Sequence, residues 1–258
     1  MKELINFIKY GFEKEDLFPF FCPKCKQKTL VLDEDKWFSV DNYEHMKIED
    51  EYDPLIDSSI NYSAVYNCKT RNCNTSVFSS GIGFYDPIFR FDDDGYQSIY
   101  GYDIKYRPSS FNPHLSFFEP PINTPTIVKI IINTSFSIAL MSPSSALNLI
   151  RTCIEKLLNE LEIQKEQNLN SRIHSLKKIK PELSEYIDHL TALRCLGNSG
   201  SHDFYTITYD DLQDAYEIFE VLLSKLYPNP TNSTLHQRIK KIIKNKGPLT
   251  RPERRNLS

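Results

Sequence analysis

Four of the six cysteines stand in two close pairs. Cys22 and Cys25 form a CPKC knuckle, and Cys68 and Cys73 close the longer turn CKTRNC. Two thiolates on a tight turn face one side of a backbone loop, and two such pairs supply the tetrahedral sulfur set that Zn2+ prefers, at about 2.3 Å per bond. Four thiolates close the coordination shell, whereas a catalytic zinc keeps a position open, so the expected ion is structural. Disulfides are the competing reading; a reducing compartment favours metal. The 42 residues between the pairs and the four inside the second knuckle are wider than a compact zinc ribbon needs. Cys153 and Cys195 are solitary and lie in patterns of helical period. FDDDG, Phe91 to Gly95, has three carboxylates in a row but lacks the later ligands of a calcium loop, and reads as a turn. The aromatics from Phe84 to Phe118 suit either base stacking or, as the preferred reading, the core of a small sheet.

The knuckles are set among strands. Thr29 to Leu32, Trp37 to Val40, Tyr62 to Tyr66, Ser76 to Phe84 and Gln97 to Tyr106 are β-branched or aromatic runs bounded by Asn, Asp, Gly and Pro. At Pro120 and Pro121 the apolar period changes from 2 to 3.6. Helices are expected after Pro125, after the cap Ser142 with Pro143 in the first turn, over 170–179, over 181–196, and after the box Thr208 to Asp211. The fold class is therefore α+β: a β-rich zinc-ribbon region over 1–120, an antiparallel helical bundle over 121–228 and a basic tail over 229–258.

Composition narrows the class further. The chain has 258 residues, 40% of them hydrophobic and 25% charged, which excludes collagen-like and globally disordered proteins. No apolar run approaches the roughly 20 residues that cross a bilayer, and the N-terminus has no signal or transit pattern, so the expected location is cytoplasmic without a membrane. The net charge of -3 hides an asymmetry. From Asn229 onward eight bases face only Glu253, while the preceding residues carry 23 bases and 33 acids. Ten of those acids fall between Asp33 and Asp57 and read as a solvated block that repels nucleic acid locally. In the tail, Leu235, Ile239, Ile242 and Ile243 mark one face of a helix ringed by lysines and Arg238.

The run ALNLIRTCIEKLLNEL, Ala146 to Leu161, followed by LRCLGNSGSH, Leu193 to His202, resembles the bacterial domain of unknown function 4145. The likeness covers most of 118–228, after a Cys-rich knuckle and the Pro-containing FFEPP. Its most specific string is Arg-x-x-Gly-Asn-x-x-x-His, met by Arg194, Gly197, Asn198 and His202; Arg151 and Glu155 are a less specific pair. That family is similar in turn to the HEPN superfamily of helical bundles, which commonly dimerise and include metal-independent endoribonucleases. The resemblance thus implies a HEPN-like homodimer that acts on RNA in antiviral defence, with Arg194, Asn198 and His202 as its catalytic residues.

The chemistry of such a site is coherent. Cleavage of RNA without metal requires proton transfer and stabilisation of charge on a phosphoryl group. His202 relays protons near neutral pH, Arg194 grips phosphate oxygens with a permanent charge, and Asn198 donates to phosphate or orients the histidine. The HEPN pattern usually places four to six residues between Arg and His, and here there are seven. In the structural alternative, Gly197 ends a helix, Arg194 pairs with an acid such as Glu155, and His202 is a buried hydrogen-bonding residue. Three function classes follow: an RNA-binding or RNA-cleaving effector, a noncatalytic adaptor for a partner defence or restriction enzyme, and a nucleic-acid tether working through the tail.

Overall fold

The computed structural model describes residues 2–16, 20–42, 58–93, 95–163, 168–202, 207–228, 240–246 and 248, with the side chains of 2–5 and 199–202 outside that description. An N-terminal antiparallel sheet is followed by helices, giving a mixed α+β chain. Helix α1, Lys2–Tyr10, precedes the strands β1, Leu30–Leu32; β2, Phe38–Asn42; β3, Ser59–Cys68; β4, Ser76–Phe91; and β5, Gln97–Asn112. The helices that follow are α2, Thr126–Ile138; α3, Pro143–Glu160; α4, Leu169–Ile179; α5, Ile187–His202; and α6, Tyr209–Leu226. All five expected strands are present. Helix α1 is an addition, because its mix of charged and apolar residues was not read as an element. The acidic block beyond Asn42 and the expected tail helix before residue 240 lie outside the described residues; within the tail, 240–245 are helical with Ile243 exposed.

Strand β3 is the axis of the sheet. Its side chains alternate, with Ile60, Tyr62, Ala64, Tyr66 and Cys68 all buried on one face. Both β1 and β2 pair along one edge of β3, through Leu30↔Cys68 and Phe38↔Ser63, while β4 pairs along the other. The rings of Trp37 and Tyr62 stack at 5.0 Å, and Tyr106 meets each edge-on. Gly81 and Gly83 of β4 make room for them: a Cβ at Gly81 would lie 2.8 Å from the Tyr62 ring, and one at Gly83 2.8 Å from the Tyr106 ring.

The pairing of β3 with β4 stops at Ser59↔Phe84, whereas β4 and β5 stay paired out to Phe91↔Gln97. The outer part of this hairpin is therefore a two-stranded ribbon among the described residues, closed by a turn in which Tyr96 N–H donates to the Asp92 carboxylate at 2.8 Å. Here the preference for core aromatics fails. Tyr106 and Phe118 are buried, but Phe89, Phe91, Tyr96 and Tyr100 are exposed, because no third strand among the described residues covers the ribbon.

The helices surround a second core. The Tyr216 ring lies against Phe117, Phe118 and Phe136, and its hydroxyl meets Ser135 Oγ at 2.8 Å while Ser135 donates to the Ala146 carbonyl. Capping follows the sequence closely. Ser142 Oγ accepts from Ser145 N–H with Pro143 in the first turn, and Thr208 with Asp211 forms a full capping box. The stretch read as one helix over 181–196 instead begins as a 3-10 turn, Pro181–Tyr186, and the α-helix continues past Leu196 to His202. Tyr209 OH donates to the Leu140 carbonyl just beyond α2, and Lys9 pairs with Asp210, joining α1 to α6.

Arg172 of α4 is 6% exposed and holds α4 to the end of α3. Its guanidinium donates to the Ile163 and Glu155 carbonyls and to Asn159 Oδ1. Arg172→Met is expected to lower stability by about 3 kcal/mol, since buried acceptors lose a charged donor. The midpoint of urea unfolding, fitted with an unchanged slope, checks this.

Candidate functional site

The alternation of β3 delivers Cys68 to the buried side at the strand's last residue, and the turn that follows brings Cys73 back beside it. Cys73 N–H donates to Thr70 O, and Asn72 and Asn74 take positive φ to make the bend. The first knuckle turns similarly: Lys26 N–H donates to Cys22 O, with Lys26 at φ 59°. Pairing of β1 with β3, extended by Lys69 N–H to Thr29 O at 2.8 Å, sets the two knuckles side by side. The 42-residue interval thus contains β1, β2 and most of β3, and does not separate the cysteines in space.

All four sulfurs lie within 4.8 Å of one another, with Cys22 and Cys73 at 3.6 Å and Cys25 and Cys68 at 3.5 Å. A disulfide would need about 2.05 Å. A tetrahedron with bonds of about 2.3 Å has edges of about 3.8 Å, so the set is sized to hold a metal ion. Three threonine hydroxyls surround it: Thr29 at 3.2 Å from Cys68, Thr70 at 3.4 Å from Cys25 and Thr75 at 3.3 Å from Cys73. Burial raises the Cys68 thiol, but the hydroxyls of Thr29 and Thr70 outweigh it and bring the group down to about 6. The Thr70 hydroxyl likewise lowers Cys25. At Cys73 the Thr75 hydroxyl lowers the thiol, yet burial and the neighbouring sulfurs together leave it raised. These threonines were missed in the sequence, where nothing marks a hydroxyl as a thiolate partner.

The second cluster is built by helices α3, α4 and α5. Helix α5 runs through Gly197 and Gly200 without a break, so Gly197 is no helix end. A Cβ at Gly197 would sit 2.6 Å from the Arg151 Cβ and 3.1 Å from the Leu147 carbonyl oxygen. The glycine therefore lets α3 and α5 cross closely and lays the Arg151 side chain along α5. Arg151 pairs with Glu155 at 3.4 Å, and among the described residues Arg194 has no carboxylate partner; its Nη2 meets the Cys195 sulfur at 3.3 Å. Gly197→Ala is expected to cost about 1 kcal/mol net, because overpacking outweighs the gain in helix propensity. A thermal melt decides it: a gain in stability would show that the helices do not cross this closely.

Arg151, Arg194 and Asn198 line one cavity of about 370 Å³ with Asn168, Leu169 and Asn170. The Nε atoms of both arginines are buried without a hydrogen-bond partner among the described residues. Asn168 caps α4 by accepting from Ser171 N–H at 2.9 Å, and Asn168, Leu169 and Asn170 at the start of that helix line the same cavity. The two asparagines were missed as site residues; the cap pattern Asn168-Leu-Asn-Ser was the one available signal. Asn198 follows Arg194 by one helical turn. His202 ends the helix, and its side chain lies outside the described residues. Eight residues at about 1.5 Å rise put it about 12 Å along the axis from Arg194.

Residues 133–246 match the family described as Domain of unknown function (DUF4145), and residues 10–111 match Domain of unknown function (DUF8608). No curated protein matches the chain, and no solved structure does. No helix among the described residues is long and apolar enough to cross a membrane.

Proposed function

We propose that the protein is a HEPN-like, RNA-associated homodimer of antiviral defence that cleaves RNA without a catalytic metal, its sheet half stapled as a zinc ribbon by a structural Zn2+ on Cys22, Cys25, Cys68 and Cys73. The zinc ion supplies cross-linking of the two knuckles and no chemistry on substrate, since four thiolates leave no open position. One observation carries the RNA reading. Because α5 is continuous, Arg194, Asn198 and His202 succeed one another at single-turn intervals on one helix face, with no acid of the described residues neutralising Arg194.

In this reading Arg194 holds the phosphate oxygens, Asn198 donates beside it, and His202 moves the proton from the 2'-hydroxyl or to the leaving oxygen. Two helical turns are wider than one phosphate group. The productive pair is therefore Arg194 of one protomer with His202 of its partner across a two-fold axis. Labelled RNA incubated in EDTA tests the reading: the expected products carry 2',3'-cyclic phosphate ends. RNA left intact under all conditions, partner proteins included, rejects cleavage.

The alternative is a noncatalytic adaptor for a partner defence or restriction enzyme. The exposed apolar residues of the β4–β5 ribbon favour it, because an isolated two-stranded ribbon is marginally stable in water. Cross-linking from a residue placed at Tyr100 separates the two: a specific partner adduct supports the adaptor.

A further inference from the structure

The α3–α5 cavity holds more cationic and donor groups than the Arg194–Asn198–His202 face requires. Two arginines line it from different helices, and each has its Nε buried without a hydrogen-bond partner among the described residues. Glu155 offsets Arg151 through a single 3.4 Å contact and is not among the lining residues. The third wall is the N-terminus of α4. Asn168 caps the Ser171 amide, while helix geometry leaves the N–H groups of Leu169 and Asn170 without an intrahelical carbonyl. These amides carry the positive end of an 11-residue helix.

We infer that this cavity is a binding site for a terminal phosphate of an RNA chain, a monoester dianion held by Arg151, Arg194, Asn198 and the first turn of α4. The inference rests on the RNA reading for the polymer and on its two-fold dimer: Arg194 of one protomer holds the terminal phosphate while the Arg194 of its partner holds the phosphate that is cut. It adds Arg151, Asn168 and Asn170, and it names the end of the chain as what is recognised.

Direction and charge choose the end over the interior. Residues that carry donors line the cavity from three helices, and such an arrangement suits a group with three free oxygens. An internal diester has two free oxygens and must leave two exits for the chain. A monoester carries nearly two negative charges at neutral pH and so gains more than a singly charged diester from Arg194, from Arg151, whose charge Glu155 offsets in part, and from the positive end of α4. The cavity, at about 370 Å³, has room for a phosphate with part of its nucleoside.

The test uses the full-length protein and one oligoribonucleotide in 5'-phosphorylated, 3'-phosphorylated and unphosphorylated forms, with inorganic phosphate as the smallest probe. One phosphorylated form is expected to bind about tenfold tighter than the unphosphorylated one, the scale of a charge-assisted bidentate contact. Inorganic phosphate is expected to compete for that increment alone. Arg151→Gln should erase the preference. Asn170→Asp should erase it too while keeping or raising the melting temperature, because an acid in a helix first turn is favourable there. Retained stability with lost preference separates binding from misfolding.

Equal affinity for all three forms, or a preference unchanged in Arg151→Gln, overturns the inference. The two proposals fail separately. Binding and cleavage that depend on Arg194 but ignore the end phosphate would remove the terminal-phosphate site and leave the RNA reading. End preference in a protein that never cleaves would keep the site and remove catalysis.

Discussion

Stripping the metal from the four-cysteine cluster is expected to unfold the sheet half of the protein. Cys22, Cys68 and Cys73 are members of that half's core, packed with Leu30, Tyr66 and Val77. Binding of a structural zinc contributes on the order of 10 kcal/mol in small thiolate sites, while a whole domain is stable by about 5 to 15 kcal/mol. Losing the first therefore consumes most of the second. Without metal, the sulfurs brought within 4.8 Å lose what binds them together. The double variant Cys22→Ser, Cys68→Ser should purify with no bound metal and without the strand signal in circular dichroism, whereas Cys195→Ser, whose thiol is exposed, should keep both. Elemental analysis should return close to one zinc per chain and no iron. Acid should release it, since protons compete for thiolate ligands. A metal-free protein with a native melting curve overturns the zinc assignment.

The second large effect is expected at α5. His202→Ala removes proton transfer, a loss of about 10² to 10⁴ in cleavage rate, with RNA affinity nearly unchanged. Arg194→Ala should lower both, because the same side chain binds the ground state and the charge that develops in reaction. Mixing the two variants provides the sharper measurement. If the active pair is made from both protomers, a mixed dimer contains one intact Arg194–His202 combination and one doubly defective one, and activity returns. If each protomer acts alone, the mixture stays as inactive as its parts. Light scattering that reports a monomer at all practical concentrations would remove the shared-site arrangement altogether.

Much of this arrangement was legible in the sequence, and the reasons are local. The CPKC and CKTRNC turns announce their geometry through residue spacing, and Ser142-Pro143 and Thr208 with Asp211 announce helix starts through hydroxyl and carboxylate caps. What escaped depends on contacts between distant segments. The helical course of Lys2–Tyr10 is hidden by a mixed composition, and this helix is tied to the rest by Lys9 with Asp210, 201 residues away. Gly197 reads as a helix stop when its neighbours in sequence are considered alone. Its reason is Leu147 and Arg151 on another helix, a contact no periodicity reveals. Asn168 and Asn170 were passed over because their role depends on α4 meeting α3 through Arg172. The exposed ribbon aromatics were misassigned to the core because an apolar run looks the same whether or not another strand covers it.

The tight seat of Gly197 also governs how this chain can drift over evolutionary time. The obstructing atoms are a Cβ, which every residue but glycine possesses, and a main-chain oxygen, which every residue possesses. An ordinary exchange at position 151 therefore does not compensate a methyl at 197 unless the helices move apart, and glycine is expected to be favoured at 197 whatever function the fold serves. Position 151 is under no such constraint, since packing there asks only for a Cβ. Among descendants that keep the glycine, recurrence of arginine at 151 would trace selection for the anion, and its free exchange would trace descent of the scaffold alone.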